Sequence, residues 1–248
     1  MLWQVERNKM GKIICVGLGP GDQKLMSVKS DQLIRSAKII AFFRKKRTAG
    51  HARTIVNGML REDAIEYAME YPITSEIDFL SKEYQTVLAK FYNDWAFRLE
   101  QIASKSDVIV LCEGDPLFYG SFMHLHTRLK GKVELDIIPG ITGMSGCWTA
   151  LGEPFCWGDD ITCVVMGTLQ SQKLQKAVLQ GDALVIMKVG PHIPKIKKAL
   201  LKARKLDQAW LIERGTMKDE KIIKLSDFTL DNAPYFSIIL VLGEGRRP

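Results

Sequence analysis

The run Asp107-Val-Ile-Val-Leu-Cys-Glu-Gly-Asp-Pro-Leu-Phe-Tyr-Gly120 decides how the chain is read. Its first half is apolar and β-branched, the pattern of a strand buried on both faces. Its second half is polar. Gly114 there allows close backbone approach, and Pro116 stiffens the turn. The residues that follow, Ser121 to Leu129, put Phe122, Leu125 and Leu129 at helical spacing. A strand therefore runs through a loop into a helix. In open α/β sheets, ligands gather at such carboxyl ends of strands, against helix N-termini. Taken alone, the run suits an ordinary strand–helix connection as well as a ligand loop. Its acidic pair, Glu113 and Asp115, would be costly to desolvate without partners.

Two more glycine-bearing junctions lie to either side. Lys12-Ile-Ile-Cys-Val-Gly-Leu is a strong strand that ends in Gly17-Leu-Gly-Pro-Gly-Asp22. This is not the dinucleotide fingerprint, because Asp22 stands where the third glycine belongs, and it is not a P-loop, because no Gly-Lys-Ser/Thr follows. Val133-Glu-Leu-Asp-Ile-Ile breaks at Pro139-Gly-Ile-Thr-Gly-Met-Ser-Gly146, where Thr142 and Ser145 are cap candidates. The three junctions together are expected to line one edge of a sheet. Between them, Ser27 or a neighbour is expected to cap a helix with Val28, Leu33 and Ile34 on its apolar side. A strand spans Lys38 to Phe43, and the basic segment Arg44 to Arg53 reads as a surface loop or an anion-collecting lip. Ala64 to Tyr71 is a strand ended by Pro72. Phe79 to Ser104 is helical, with Val87, Leu88, Phe91, Trp95, Leu99 and Ile102 on one side.

The turn-rich cluster Gly152-Glu-Pro-Phe-Cys-Trp-Gly-Asp159 reads as a domain boundary. After it the pattern restarts. Strands are expected at 161–166, 183–188, 208–213, 221–225 and 235–241, with helices around 174–179 and 194–205. The class is α/β: a tail over 1–11, then two successive α/β domains at 12–152 and 160–243, the second with an antiparallel part.

Composition narrows the function. The chain has 248 residues, 46% of them hydrophobic, and no apolar run long enough to span a membrane. Its start lacks the apolar core of a secretory signal. Five scattered cysteines read as reduced core residues of a cytoplasmic protein, and four histidines without clustered cysteines point away from a metal site. A net charge of +7 and a pI of about 9.1 suit an anionic partner. The densest basic run, Lys195 to Lys205, reads as a solvated helix face. Few aromatics interleave with these charges, which argues against a stacking surface for nucleic acid. No serine triad is visible, and Glu113/Asp115 alone give weak support to acid/base hydrolysis.

Gly17-Leu-Gly-Pro-Gly-Asp22, Glu113-Gly-Asp-Pro-Leu-Phe-Tyr-Gly120 and Pro139-Gly-Ile-Thr142 resemble the three signature regions of the tetrapyrrole (corrin/porphyrin) methylases. The resemblance runs from about Lys12 to Leu242. The longer form Leu111 to Phe122 is most similar to the branch that methylates precorrin-2. The resemblance implies two α/β domains with the ligand cleft between them, a homodimer, and S-adenosylmethionine as methyl donor. It places Leu18, Gly114, Asp115, Phe118, Thr142, Gly143, Met166 and Ser237 at the cofactor. It implies a polycarboxylate tetrapyrrole as substrate, which Arg44, Lys45, Lys46, Arg47 and Arg53 are positioned to attract. Glu113 and Tyr119 are the candidates for removing a proton from the methylated carbon, each with a structural role as the alternative. Rival readings are a family member acting on another tetrapyrrole carbon or on ribosomal RNA ribose, and a non-catalytic tetrapyrrole-binding module.

Overall fold

A computed structural model of the protein describes residues 11–74 and 81–246. The expected N-terminal tail and the start of the long helix at Phe79 therefore fall outside the described residues. The chain forms two compact units, the first ending at Thr142 and the second beginning at Gly143.

The first unit is a parallel sheet of β1 (Ile13–Gly17), β2 (Ile39–Arg44), β3 (Ile65–Glu70), β4 (Val108–Cys112) and β5 (Leu135–Ile138), in the order β3-β2-β4-β1-β5. β1 and β4 are buried along their whole length. That is why both read as unbroken apolar runs rather than alternating ones. Alternate residues serve opposite faces. Ile13, Cys15, Val108 and Val110 pack under α3 (Lys82–Ala103) and α4 (Phe122–Leu129). Ile14, Val16, Ile109 and Leu111 pack under α1 (Val28–Ser36) and α2 (His51–Ile55).

From β1 the chain works outward to β2 and β3, then returns to β4 and crosses to β5. The loops after the neighbouring strands β1 and β4 therefore lead to helices on opposite faces. Such a switch point opens a crevice at the carboxyl ends of the two strands.

The second unit carries β6 (Thr162–Met166), β7 (Ala183–Met187), β8 (Ala209–Glu213), β9 (Lys221–Lys224) and β10 (Ser237–Val241), in the order β6-β7-β10-β8-β9. β6 and β7 are parallel, while β10 runs antiparallel to β7 and β8. One face packs on α6 (Ser171–Gln180) and α7 (Ile193–Lys202), the other on α5 (Gly143–Leu151). The division falls before α5 rather than in the turn-rich segment after it, because Cys147, Trp148 and Leu151 pack against Val185, Ile212 and Leu240.

Three local expectations change. Val28 is not on the buried side of α1: as its first residue it is 73% exposed, while Ile34 reaches the core. The segment after Gly50 is not loop throughout, since His51–Ile55 closes a short helix that buries Ala52 and Ile55. The lysines around α7 do not all face water. Lys195 donates to Leu169 O at 2.7 Å, and Lys197 and Lys205 donate to Phe228 O and to the carbonyls of Val178 and Gly181, each at ranges that tie neighbouring loops to the helix. Their stems pack while their heads satisfy main-chain oxygens.

Leu125 of α4 is fully buried against the first sheet. Leu125→Ala is expected to lower unfolding stability by about 2–5 kcal/mol, the range for a cavity in a well-packed core. A denaturant melt that shifted its midpoint by less than a quarter of this would contradict the packing described.

Candidate functional site

β4, β1 and β5 are adjacent, so the loops leaving their carboxyl ends meet. Gly114 N donates to Gly19 O at 2.8 Å, and Leu18 N donates to Cys112 O at 2.9 Å, which stitches the first loop to the second. The third loop comes closer still. A Cβ on Gly140 would lie 2.1 Å from Gly114 O, and one on Gly17 would lie 2.5 Å from Gly140 N. No side chain fits at either position.

Asp115 locks this junction. Its Oδ1 accepts Leu117 N at 2.9 Å, and its Oδ2 accepts Gly140 N at 3.2 Å. One carboxylate thus shapes its own turn and holds the third loop, which satisfies the charge with main-chain N–H groups. Phe118 N closes the turn on Asp115 O at 3.3 Å. Phe118 is half-buried and meets the ring of Tyr119 edge-on, with centroids 4.9 Å apart. Tyr119 has φ of 54° and is 51% exposed. A bulky residue in left-handed backbone is uncommon and marks a turn held from both sides.

Glu113 points elsewhere. Its Oε1 accepts Ala52 N, at the start of α2, at 2.9 Å. Its Oε2 has no hydrogen-bond partner among the described residues. The residue keeps an open surface, yet the protein crowded around the carboxylate raises its pKa above the ordinary value, against the pull of the Ala52 N–H. The acidic pair is therefore split in role: Asp115 organises backbone, and Glu113 offers one free oxygen.

The other residues singled out in the sequence are placed as follows. Leu18 is fully buried in the core beside Ile34 and Ile55, so only its main chain can meet a ligand. Thr142 ends the first unit and Gly143 opens the second; both are half-buried, and only Ile238 Cδ1 comes within 4 Å of where a Cβ on Gly143 would sit. In the second unit, Met166 ends β6 and Ser237 begins β10. Ser237 is 3% exposed and its Oγ has no partner among the described residues; the buried Oγ1 of Thr216, just past β8, is likewise unpartnered. Two orphaned hydroxyls at one sheet edge fit a polar ligand group there.

The basic segment divides. Arg44 pairs with Glu70 at 3.1 Å across β2 and β3, and Arg53 grips Glu66 through Nε and Nη2 at 2.7 and 2.9 Å. These two tie sheet and helix together. Lys45, Lys46 and Arg47 are exposed in the turn between them. Among the described residues no three His, Cys, Asp or Glu side chains come together as a metal site. Two residues outside the motifs are tied to the second loop and the helix after it: Ala52, whose N–H holds Glu113, and Tyr71, whose hydroxyl is bonded to Ser121.

The sequence pattern of the family described as Tetrapyrrole (Corrin/Porphyrin) Methylases matches residues 12–229. The chain belongs to this family. Within it, the chain is 44% identical over 240 residues to the precorrin-2 C(20)-methyltransferase of a Sinorhizobium species, spanning 96% of this chain and 98% of that one. The cobalt-precorrin-2 C(20)-methyltransferase of Salmonella typhimurium is 26% identical over 93% of this chain and 96% of its own. Among solved structures, the methyltransferase CobJ shares the fold with a TM-score of 0.67 at 18% identity, covering 96% of each chain.

Gly140→Ala is expected to force the second and third loops apart. In amide hydrogen exchange, residues 113–120 should exchange faster, while residues 183–187 of the second sheet keep their protection. Unchanged exchange at 113–120 would mean the backbones do not depend on this approach.

Proposed function

We propose that the chain is an S-adenosylmethionine-dependent methyltransferase acting on carbon 20 of precorrin-2, in cobalamin biosynthesis. The observation that carries this is the 44% identity to the Sinorhizobium enzyme, end to end, together with the intact Gly114-Asp115-Pro116 loop. The metal-free substrate is favoured over the cobalt-loaded one because similarity to the cobalt-precorrin-2 enzyme is lower, at 26%.

When bound, the cofactor supplies a methyl group already activated on a sulfonium. The protein's task is then to align and to exclude water. The family resemblance names the main chain around Leu18, Gly114, Asp115, Phe118 and Thr142 in the first unit as cofactor contacts, and, separately, Gly143, Met166 and Ser237 in the second. The orphaned Ser237 hydroxyl supports it, since a buried hydroxyl left without a partner is rare. Lys45, Lys46 and Arg47 supply exposed charge for the substrate carboxylates, with Arg44 and Arg53 contributing from within their ion pairs. Glu113 takes the proton from the methylated carbon through its free Oε2, and Tyr119 borders the substrate. The family likeness further supports a homodimer. The five free cysteines suit the cytoplasm, where thiols stay reduced. No described helix is long and apolar enough to cross a membrane.

Mass spectrometry of product after incubation with S-adenosylmethionine and precorrin-2, cobalt-precorrin-2 or ribosomal RNA tests the assignment. One added methyl on precorrin-2 is expected; a methyl on neither tetrapyrrole would refute it.

Glu113→Gln keeps an acceptor for Ala52 N but cannot take a proton. A base works when ionised, so kcat/KM of the unaltered enzyme should fall as pH drops through the raised carboxyl pKa, above the usual value of about 4.3. The variant should lose this acid limb and about 100-fold in kcat, within the span of general-base effects. A variant that kept both rate and limb would leave Glu113 a purely structural group.

A further inference from the structure

Ser121 occupies the N-cap position of α4, yet its hydroxyl makes no cap hydrogen bond. Giving up such a cap forgoes helix stability. The hydroxyl is engaged elsewhere. It is hydrogen-bonded to Tyr71 Oη, and the Tyr92 hydroxyl lies close enough to both for them to influence its titration. Three hydroxyls from three elements thus gather at one place: just past the end of β3, the middle of α3 and the start of α4.

The rings that carry these hydroxyls are held firmly. Tyr71 continues the β3 ladder through its N–H to Arg44 O at 3.0 Å and stacks on Phe43 with centroids 5.6 Å apart. Tyr92 is 5% exposed, packs edge-on against Phe91 at 5.2 Å and stacks on His124 at 4.5 Å. The Arg128 guanidinium lies over its ring at 5.6 Å. Burial pushes the Tyr92 hydroxyl pKa up, so it remains a neutral donor.

Ser121 is two residues beyond Tyr119, whose left-handed backbone needs support on both sides. On the N-terminal side, Asp115 fixes the turn through Leu117 N and Gly140 N. On the C-terminal side, Ser121 is anchored to the end of β3 through Tyr71. Packing alone does not require these hydroxyls, since phenylalanines would fill the same space. Their shared placement beside a strained, exposed aromatic turn asks for a different account.

We infer that Tyr71, Tyr92 and Ser121 are positioning residues for the Leu117–Gly120 turn. The Tyr71–Ser121 hydrogen bond, with the Tyr92 hydroxyl packed beside it, holds Tyr119 in its left-handed conformation and so sets the face this turn presents to the tetrapyrrole. The inference rests on the proposed function for the turn's facing substrate, and on geometry alone for the turn's being held.

The test uses Tyr71→Phe, Tyr92→Phe, Ser121→Ala and Ser121→Thr in the full chain. Four quantities are read: KM for precorrin-2, calorimetric affinity for S-adenosylmethionine, thermal midpoint, and amide exchange at 117–121 in the free protein. Each phenylalanine or alanine variant is expected to speed exchange at the turn. Each should raise KM about tenfold, the equivalent of one lost buried hydrogen bond. Affinity for S-adenosylmethionine should fall by less than a third as much as KM rises, because Phe118 is one of several cofactor contacts while Tyr119 faces the substrate, and Ser121→Thr, which restores the hydroxyl, should recover both readouts. Unchanged exchange overturns the inference. So does a loss in which KM, cofactor affinity and thermal midpoint all move together, because that marks a general structural role. Absence of turnover by the unaltered protein would sink the functional assignment alone; the exchange rates would then still decide whether the hydroxyls hold the turn.

Discussion

The first unit depends on three main chains approaching one another more closely than any side chain permits. Gly17, Gly114 and Gly140 meet at the carboxyl ends of β1, β4 and β5, and Gly114 O fills the space a Cβ on Gly140 would need. The approach is possible because these strands are neighbours and because the chain reverses its direction of winding between β4 and β1. It is kept in place by Asp115, whose two oxygens hold its own turn and the loop beyond β5. A carboxylate so placed is a fixed part of the scaffold.

The neighbouring acid is held differently. Glu113 is anchored by one oxygen to the N–H of Ala52 and keeps the other open. Its pKa is raised by the protein around it, while a backbone donor limits the rise. Two carboxylates two positions apart thus sit in different surroundings: one is bonded to two main-chain N–H groups, the other to one.

Much of the positive charge is also committed to structure. Arg44 and Arg53 bind glutamates on β3, Lys12 pairs with Asp136, and Lys195, Lys197 and Lys205 cap main-chain carbonyls. A net charge of +7 therefore overstates what is free to meet a polyanion. The exposed turn at Lys45–Arg47 is where the basic segment faces outward. From sequence the five residues of this segment looked equivalent. They are not, because a cation beside an acidic strand is drawn into pairs that the linear order does not reveal.

The strands of both sheets, the glycine junctions and the helix starting after Ser27 were legible in the residues, since strand burial and glycine need are local properties of the chain. The family resemblance of the three junctions was legible for the same reason. Other features depended on contacts between distant segments. Only the tertiary structure assigned Asp115 to the backbone and Glu113 to an open oxygen, for their sequence surroundings are nearly identical. Only it placed α5 with the second sheet, grouped the hydroxyls of Tyr71, Tyr92 and Ser121, and brought the short helix at His51–Ile55 against Glu113. A pattern of apolar residues states which face of an element is buried; it does not state which partner buries it, and that choice is made by the packing of the whole unit.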